Sequence, residues 1–363
     1  MAAVTVIGQG NIGSRTVGLI AQMPGITAVT LVDPDSYEES NLLTQAIDGS
    51  ALGAPKVDVQ SAVIKAINPN ITVRRIRDRL ENVPVAALRG TTLLSCTDNR
   101  RARQTTNRYA WRNGSPWIDA AIDAVSLVRI SVFVPGQAGP CLECSWDEAS
   151  YDLLEQDYTC AGEALASAPP TNAPSELGAL AAALQAAELR KLIGGALDTT
   201  PQSGLQLMYD TYSYTRHLNR VKQNAQCRFD HCTWHPKIIE FEPKKNTLAD
   251  LFDALDPNSD AAVSVEGHAF VTYLHCVACD KDSCIDLSLG GRLDAARRIC
   301  SCGGRMLAPG FFCSESVQRS NTSRESLRLK LDAIGFRIGD LLSVTDRAGG
   351  IRHIEIAGEL PDD

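Results

Sequence analysis

The chain contains 363 residues, which is more than one ordinary domain and predicts two. It carries 35 basic and 43 acidic residues, a formal net charge of -8, so its overall charge does not favour nucleic acid as the main partner. No apolar run approaches the roughly twenty residues that cross a bilayer, and no basic region with a long apolar core precedes the first predicted strand, so we expect a cytoplasmic protein with no membrane partner.

The amino-terminal stretch predicts a βαβ unit. An apolar, β-prone run at residues 4–7 is followed by a helical segment and by a second apolar run at residues 28–32. The turn after the first run contains three glycines, Gly8, Gly10 and Gly13. Glycines let the backbone approach a phosphate closely, and the N–H groups at the start of the following helix face it. This layout therefore predicts a nucleotide-binding fold.

Acidic residues follow the predicted strands of this region. Asp33 and Asp35 come after the second apolar run, and a buried run at residues 92–99 ends on Asp98. Because ligands bind at the carboxyl ends of parallel strands, we expect these carboxylates to share a crevice with the glycine turn, with Asp33 placed to accept a ribose hydroxyl. Lys56 opens a predicted helix and adds a positive charge. A glycine turn alone is also typical of dehydrogenases and does not name the reaction.

The middle of the chain completes this predicted sheet. Further helices are predicted at residues 57–68, 83–89, 100–112 and 175–194, and further strands at residues 71–75, 117–118, 126–134 and 205–209. The connection between residues 145 and 174 is polar, lacks clear periodicity and contains Cys160. A connection of this length is usually functional or disordered.

The last third of the chain has a different character. Helices are predicted at residues 247–255 and 326–334, and a hairpin at residues 341–344 and 351–356. We therefore predict an α/β protein in which residues 1–238 form a Rossmann-like domain with a mostly parallel sheet. Residues 239–363 are predicted to form a smaller, zinc-containing α+β domain.

The twelve cysteines are many for a cytoplasmic chain, where disulfides are rare. Their spacing predicts two metal sites instead. We assign one tetrahedral zinc to Cys141, Cys144, Cys227 and Cys232. We assign a second zinc, of the ribbon type, to Cys276, Cys279, Cys300 and Cys302, with Cys284 or His275 as alternative ligands. The first site would be structural, because four protein ligands leave no open position for water.

Taken in order, these motifs resemble the ThiF, MoeB and ubiquitin-activating superfamily. The matching pieces are GQGNIG, VDPDSYEESN with Gln45, PKVD with Lys56, CTDN followed by Arg103, CLEC, the loop cysteine, the helix LGALAAALQAAELRKLIGG and the later cysteine pair. They cover residues 4–235, and their joint order is specific where the glycine turn alone is not. Members of this superfamily adenylate the C-terminal glycine of a ubiquitin-like or sulfur-carrier protein.

The resemblance implies roles for several residues. ATP would be bound by the glycine turn together with Asp33, Asp35, Asn41 and Lys56. Asp98 would bind Mg²⁺, which prefers hard oxygen ligands. It would also be one of the residues of the ATP-binding site. The carboxylate of the carrier would then attack the α-phosphorus, with catalysis coming from positioning and charge neutralisation.

Two departures from the family pattern concern positive charge. The family usually has an arginine where this chain has Thr44, and some relatives contribute an arginine from an N-terminal helix that is not found before Val4. We hypothesise that Arg15 or Arg103 supplies the missing charge.

Cys160 lies sixteen residues after Cys144, where relatives place the cysteine that captures the activated carrier as a thioester or a related sulfur adduct. Its neighbours Thr159 and Ala161 offer no cation, so activation of the thiolate would have to come from the fold. The alternative is a loop thiol that the chemistry does not require.

The sequence thus predicts an ATP-dependent activating enzyme for a ubiquitin-like protein. We expect a homodimer whose second domain recruits the carrier or a conjugating enzyme. A sulfur-carrier adenylyltransferase of thiamin or molybdopterin synthesis is the close alternative. An NAD-dependent oxidoreductase and a noncatalytic carrier-binding partner are more distant ones.

Overall fold

The computed structural model describes residues 1–136, 139–156, 173–194, 203–255 and 260–358. Within these residues the first part of the chain forms one large sheet, and the second part forms two smaller ones. None of the described helices combines the length and the apolar character needed to cross a membrane.

The large sheet has the Rossmann-like arrangement that the sequence predicts. Its strands are β1 (Ala2–Ile7), β2 (Ile26–Val32), β3 (Thr72–Ile76), β4 (Thr92–Ser95), β5 (Trp117–Ile122), β6 (Leu127–Phe133), β7 (Leu205–Asp210) and β8 (Thr215–Arg220). Their order across the sheet is β3-β2-β1-β4-β5-β6-β7-β8. The pairs between β3 and β5 are parallel, and those between β5 and β8 are antiparallel. The carboxyl ends of β1 to β5 therefore lie at one edge.

Helices cover both faces of this sheet. They are α1 (Gly13–Ala21), α2 (Lys56–Ile67), α3 (Arg100–Asn113), α4 (Glu148–Gln156) and α5 (Ser175–Gly194). Val17 of α1 and Leu189 of α5 share an apolar cluster with Val6 of β1, and α2 contributes to the same cluster. Tyr109 of α3 belongs to a different cluster, with Trp117 of β5. The alternation of buried residues along the strands thus builds a core on each face.

The second part is an α+β arrangement. Its strands are β9 (Lys237–Glu240), β10 (Ala262–Val265), β11 (Phe270–Cys276), β12 (Asp282–Leu289), β13 (Met306–Leu307), β14 (Cys313–Ser314), β15 (Leu341–Thr345) and β16 (Ile351–Ala357), and its helices are α6 (Leu248–Leu255), α7 (Arg324–Leu327) and α8 (Leu331–Ile334). One sheet has the order β10-β15-β16-β9, and the other has β12-β11-β13 with β14 also paired to β11. The predicted hairpin is present as β15 and β16. Because β9 pairs with β16, this strand lies across the boundary predicted between residues 238 and 239.

Some predicted elements differ from the structure. Residues 83–89 form no α-helix, because Pro84 has extended backbone angles, φ -58° and ψ 133°, and only a short 3-10 turn follows. Residues 326–334 form two short helices instead of one, because Lys330 is extended with ψ 147°. The connection predicted to lack structure contains α4, and β8 was not predicted because all its residues are exposed and show no alternation.

Ion pairs and apolar contacts join the two parts. Arg337 Nη1 lies 3.1 Å from Asp78 Oδ2, and Arg112 Nε lies 3.2 Å from Glu266 Oε1. Leu341, at the start of β15, belongs to the apolar cluster on the α3 face of the large sheet. The second part therefore packs on that face.

Candidate active site and metal centres

Two of the three glycines close the turn at the end of β1. Gly8 has φ +87°, and a Cβ there would lie 2.8 Å from the carbonyl oxygen of Cys96. A Cβ on Gly13 would lie 1.9 Å from the carbonyl oxygen of Gly8, so α1 begins directly against the loop. A Cβ on Gly10 would meet nothing within 4 Å. The loop is tight on its inner side and open at Gly10, with the uncapped N-terminus of α1 behind it.

Asp33 ties this loop to the end of β2. Its Oδ2 accepts a hydrogen bond from the N–H of Gln9 at 2.6 Å, and its Oδ1 accepts one from the N–H of Asp35 at 2.9 Å. Burial raises the pKa of Asp33, and the positive charge of Lys56 acts in the opposite direction. Lys56 is itself buried, with Nζ 3.4 Å from Asp35 Oδ2. The structure therefore brings the loop, both predicted carboxylates and the predicted lysine to one edge of the sheet.

Two buried residues beside this site were missed from the sequence. The hydroxyl of Tyr37 donates to the carbonyl oxygen of Gln9 at 2.9 Å and accepts from Nε2 of Gln60 at 2.7 Å. Burial raises the pKa of the Tyr37 phenol. This chain of hydrogen bonds links the glycine loop to α2, which carries Lys56. The signal for Tyr37 was a single aromatic residue in an otherwise polar stretch.

Arg15 reaches the position where the family has an arginine and this chain has Thr44. Its Nη1 lies 2.9 Å from the carbonyl oxygen of Thr44 and 2.7 Å from the carbonyl oxygen of Asn11. Burial lowers the pKa of Arg15. Asn41 lies on the same segment, where its Oδ1 accepts from the N–H of Glu38 at 3.0 Å and helps to form a capping box. The guanidinium of Arg15 thus occupies the space beside Thr44.

Asp98 and Arg103 follow β4 but have different surroundings. Asp98 is exposed, directly before Asn99, whose side chain caps α3. An exposed carboxylate at this edge can offer oxygen ligands to a hard divalent cation. Arg103 donates to the carbonyl oxygen of Thr97 at 2.7 Å and pairs at 3.2 Å with the fully buried Asp119. The structure therefore uses Arg103 to compensate a buried carboxylate next to the crevice.

The first cluster, as we name it, consists of Cys141, Cys144, Cys227 and His231. The sulfur of Cys141 lies 3.9 Å from that of Cys144 and 3.6 Å from that of Cys227, and the sulfur of Cys144 lies 3.1 Å from Nε2 of His231. Four tetrahedral ligands at about 2.3 Å from zinc are separated by about 3.8 Å, so these residues fit the metal. The predicted fourth ligand, Cys232, is exposed instead, with its sulfur 3.3 Å from the carbonyl oxygen of Asp230.

Arg112 of α3 fixes the segment that carries His231. Its guanidinium makes a two-pronged contact with Asp230, at 2.7 Å and 2.9 Å, and donates to the carbonyl oxygen of Cys232 at 2.9 Å. The same group stacks over Trp234, 4.3 Å from the ring centroid, and pairs with Glu266 of the second part. One nearly buried arginine thus connects the large sheet, the first cluster and the second part.

The second cluster consists of Cys276, Cys279, Cys300 and Cys302, the four residues assigned from the sequence. The sulfurs of Cys276 and Cys302 are 3.6 Å apart, and those of Cys279 and Cys300 are 3.8 Å apart. These spacings also fit a tetrahedral zinc site. The alternative ligand His275 instead points Nδ1 at Asp282, 2.8 Å away.

Cys160, the predicted nucleophile, lies outside the described residues. The described residue nearest before it is Gln156, at the end of α4. That helix is held against α3 by Arg100, which donates to the carbonyl oxygen of Ser150 at 3.4 Å, and against the CLEC turn by Tyr151, whose hydroxyl donates to Glu143 at 3.2 Å. The chain therefore leaves the first cluster along the start of α3, next to Asp98.

Comparisons with known proteins match the first part of the chain. The model of the ThiF family matches residues 1–229. Molybdopterin-synthase adenylyltransferase of Salmonella typhimurium is 30% identical over 230 residues, covering 62% of this chain and 86% of that protein. SAMP-activating enzyme E1 of Haloferax volcanii is 27% identical over 230 residues, covering 62% of this chain and 78% of that protein.

The fold is also found among solved structures. Escherichia coli MccB, crystallised with ATP, superposes with a TM-score of 0.51 at 21% identity, over 64% of this chain and 66% of the MccB chain. A likeness at this identity concerns the fold alone. The second part lies beyond the residues that the family model matches.

Proposed function

Because this chain belongs to the ThiF family, we propose that it is an adenylyltransferase that transfers AMP from ATP to the C-terminal glycine of a ubiquitin-like protein. The observation that supports this reaction is the meeting of the open glycine loop, Asp33, Lys56 and the exposed Asp98 at the carboxyl edge of parallel strands. Hydride transfer by an NAD-dependent dehydrogenase requires neither the buried Lys56 nor the carboxylate of Asp98.

In the proposed reaction the N–H groups of the loop and the ammonium of Lys56 hold the phosphates. Asp33 accepts a hydrogen bond from a ribose hydroxyl. It also accepts the hydrogen bond from the N–H of Gln9 that fixes the glycine loop. Mg²⁺, held by Asp98, would neutralise phosphate charge. A carboxylate oxygen of the carrier forms a bond to the α-phosphorus, and the bond from that phosphorus to the bridging oxygen breaks, so pyrophosphate leaves with the electron pair. The protein contributes positioning and charge neutralisation.

ATP/pyrophosphate exchange in the presence of small proteins that end in Gly-Gly tests this proposal. We expect exchange with at least one such protein, its loss in Asp98→Ala, and its retention in Asp332→Ala, which changes an exposed carboxylate on α8 in the second part. Tight NAD binding without exchange would contradict the proposal.

Arg15 is proposed to supply the positive charge that Thr44 lacks. Its guanidinium already lies against the Thr44 backbone, 2.9 Å from the carbonyl oxygen. Arg15→Ala should slow exchange and leave the folded structure unchanged, and Arg15→Lys should restore part of the rate. Normal exchange in Arg15→Ala would exclude this role and leave Arg103, which is paired with Asp119, as the remaining candidate.

The step after adenylation distinguishes two products. We propose that Cys160 captures the carrier as a thioester, releasing AMP, for delivery to a conjugating enzyme, and that the enzyme is a homodimer. The similarity to molybdopterin-synthase adenylyltransferase favours a second candidate, in which sulfur from a separate sulfide-level donor replaces AMP at the glycine carbonyl carbon and the carrier leaves as a thiocarboxylate. Intact mass of the carrier and of a Cys160→Ser variant separates them, because only the first candidate gives a thiol-sensitive adduct on the enzyme that this substitution removes.

Zinc is proposed at both cysteine clusters as a structural metal. The ligand spacings given above fit it, and four protein ligands leave no position for a reacting water. The metals would therefore hold chain segments together and take no part in adenylation.

A further inference from the structure

The outer face of the second cluster carries a short row of exposed side chains. Ile299 and Arg305 oppose each other in an antiparallel bridge, and the N–H of Val277 donates to the carbonyl oxygen of Arg305 at 3.3 Å. Val277 and Ile299 are 40% and 63% exposed, and Arg305 is also exposed. Residues paired across neighbouring strands project from one face, so this row places an arginine between two exposed apolar side chains.

Two more arginines lie close to this row. Arg298 donates to the carbonyl oxygens of Gly290 and Gly291, both at 3.0 Å. The same loop meets the turn that begins at Arg79, in the first part of the chain: a Cβ on Gly291 would lie 3.3 Å from Oδ1 of Asn82, and the N–H of Asn82 donates to the carbonyl oxygen of Arg79 at 3.0 Å. Within the described ranges, none of these three arginines forms an ion pair. Arg298 holds the loop at Gly290 and Gly291, whereas no ion pair within the described residues accounts for the charges of Arg79 and Arg305, and like charges brought together cost stability.

The row also lies at the edge of the candidate active site. Arg79 follows the carboxyl end of β3 by three residues, and the N–H of Asp33 donates to the carbonyl oxygen of Ile76, the last residue of β3, at 3.2 Å. From β3 to β4, where Asp98 lies, there are three strand spacings, or about 14 Å. An extended tail of about five residues spans that distance.

We propose that Val277, Ile299, Arg79, Arg298 and Arg305 form a docking surface, named here the arginine patch, for an acidic face of the carrier protein whose tail enters the crevice. This inference rests on the proposed adenylation and adds the position and the chemistry of the carrier's folded body. A surface that combines arginines with exposed apolar side chains complements a surface on which carboxylates lie beside apolar side chains. The chain's overall charge of -8 repels an acidic protein elsewhere and so directs it to this surface.

A protein fits the patch better than a nucleic acid does. The patch includes two exposed apolar side chains, Val277 and Ile299, and a phosphate backbone offers them no apolar counterpart. A second copy of this chain would bring the same group of arginines and the same net negative charge. The carrier must in any case come within reach of the crevice, which the patch adjoins.

The test compares two charge-reversed double variants of the full chain in ATP/pyrophosphate exchange, using as probe the Gly-Gly-terminated protein that supports exchange. Arg79→Glu with Arg305→Glu alters the patch and spares Arg298, whose hydrogen bonds hold a loop. Arg324→Glu with Arg328→Glu makes the same charge change at exposed positions around the end of α7. At low salt we expect the KM for the carrier to rise about tenfold in the patch variant only, with the KM for ATP unchanged and the difference shrinking as salt is added.

The outcomes separate this inference from the proposed function. Exchange by the wild type with an unchanged carrier KM in the patch variant would overturn the docking surface and leave adenylation standing. Absence of exchange with every Gly-Gly protein would overturn both. Loss of binding to a short DNA duplex in the patch variant, with the carrier KM unchanged, would assign the arginines to nucleic acid and likewise overturn the inference.

Discussion

The first and second clusters have similar ligand chemistry but very different surroundings. The first cluster is built from two distant segments, and it packs with Trp111 of α3 and Phe229 in an apolar group. Arg112, one residue further along α3, ties it to Glu266 in the second part. The second cluster is built within residues 276–302, and its cysteines pack in an apolar group with Leu274 and Met306 of the neighbouring strands.

The difference predicts how much of the structure each metal stabilises. A metal at the first cluster joins two segments that are distant in sequence, so its loss should destabilise the large sheet. A metal at the second cluster joins residues within 276–302, so its loss should act mainly on those residues.

Cys141→Ser should have the largest effect. Removing this fully buried thiolate from the first cluster forfeits structural zinc binding, which in small zinc modules is worth on the order of 10 kcal/mol. We expect loss of one metal ion per chain and of cooperative unfolding of the large sheet, measured by metal analysis and by thermal denaturation. A Cys141→Ser variant that lacks the metal and keeps the wild-type Tm would contradict the idea that the first cluster stabilises the large sheet.

The fourth position of the first cluster supplies a matched pair of variants. His231→Ala should release the metal as Cys141→Ser does, and the neighbouring Cys232→Ser should keep it, because the structure directs His231 and not Cys232 to the sulfurs. The opposite result would restore the four-cysteine site assigned from the sequence spacing.

Arg112→Leu should have the next largest effect on stability, because it removes the arginine paired with Asp230 and leaves Glu266 with Arg108, 3.6 Å away. Removing one member of a largely buried ion pair costs about 3 kcal/mol, and the half-exposed Asp230 brings the loss to the lower end of the usual range. Chemical denaturation measures this loss. Arg75→Leu, whose partner Asp58 is exposed, should cost less than about 1 kcal/mol.

Cys300→Ser should remove the metal of the second cluster with little effect on the first part. We expect exchange with an unchanged KM for ATP, together with increased proteolysis or hydrogen exchange around residues 276–302. A large fall in the Tm of the first part would show that the second cluster is as widely connected as the first.

The last prediction concerns an effect that is absent near neutral pH: a change in acid sensitivity at the contact between the two parts. Burial, and then the charges of Arg292, Arg337 and Arg108, lower the pKa of His268 from 6.5 to about 3. The unfolded chain therefore binds a proton below pH 6.5 that the folded chain does not, so stability falls as the pH drops from 6.5 towards 3. His268→Asn should reduce the slope of the free energy of unfolding against pH in that window. The reduction should correspond to less than one bound proton.

The exposed His217→Asn is the control for that measurement. It should leave the slope unchanged, and an equal change in both variants would exclude a specific role for His268.

The parts of the fold that local patterns determine could be predicted from the sequence. The bounds of α5, Ser175–Gly194, agree with the prediction, which rested on Ser175-Glu176 as a start signal and on the glycines that follow the helical pattern as a stop signal. The family resemblance is confirmed by the match to residues 1–229. The meeting of Asp33 and Lys56 beside the glycine loop followed from the rule that parallel strands end at one edge.

Other features depend on contacts that no local pattern reveals. His231 has φ +53°, an unusual backbone angle, and lies with Cys141, Cys144 and Cys227, whereas Cys232, which the spacing selected, is exposed. No local sequence pattern indicates that backbone angle. The tie between Arg112 and Glu266 joins residues 154 positions apart. The role of Cys160 stays a prediction, because that residue lies outside the described part of the chain.

The pairing of β9 with β16 sets an order of events during synthesis. Strand β9 can pair only after residues 351–357, which form β16, have been synthesised. All strands of the large sheet, by contrast, have been synthesised once the chain reaches residue 220. On the ribosome the nucleotide-binding half can complete its sheet while β9 is still an unpaired edge, and an unpaired edge invites aggregation. A nascent chain stalled before β16 should therefore need chaperone protection at β9 even after its first half has become resistant to protease.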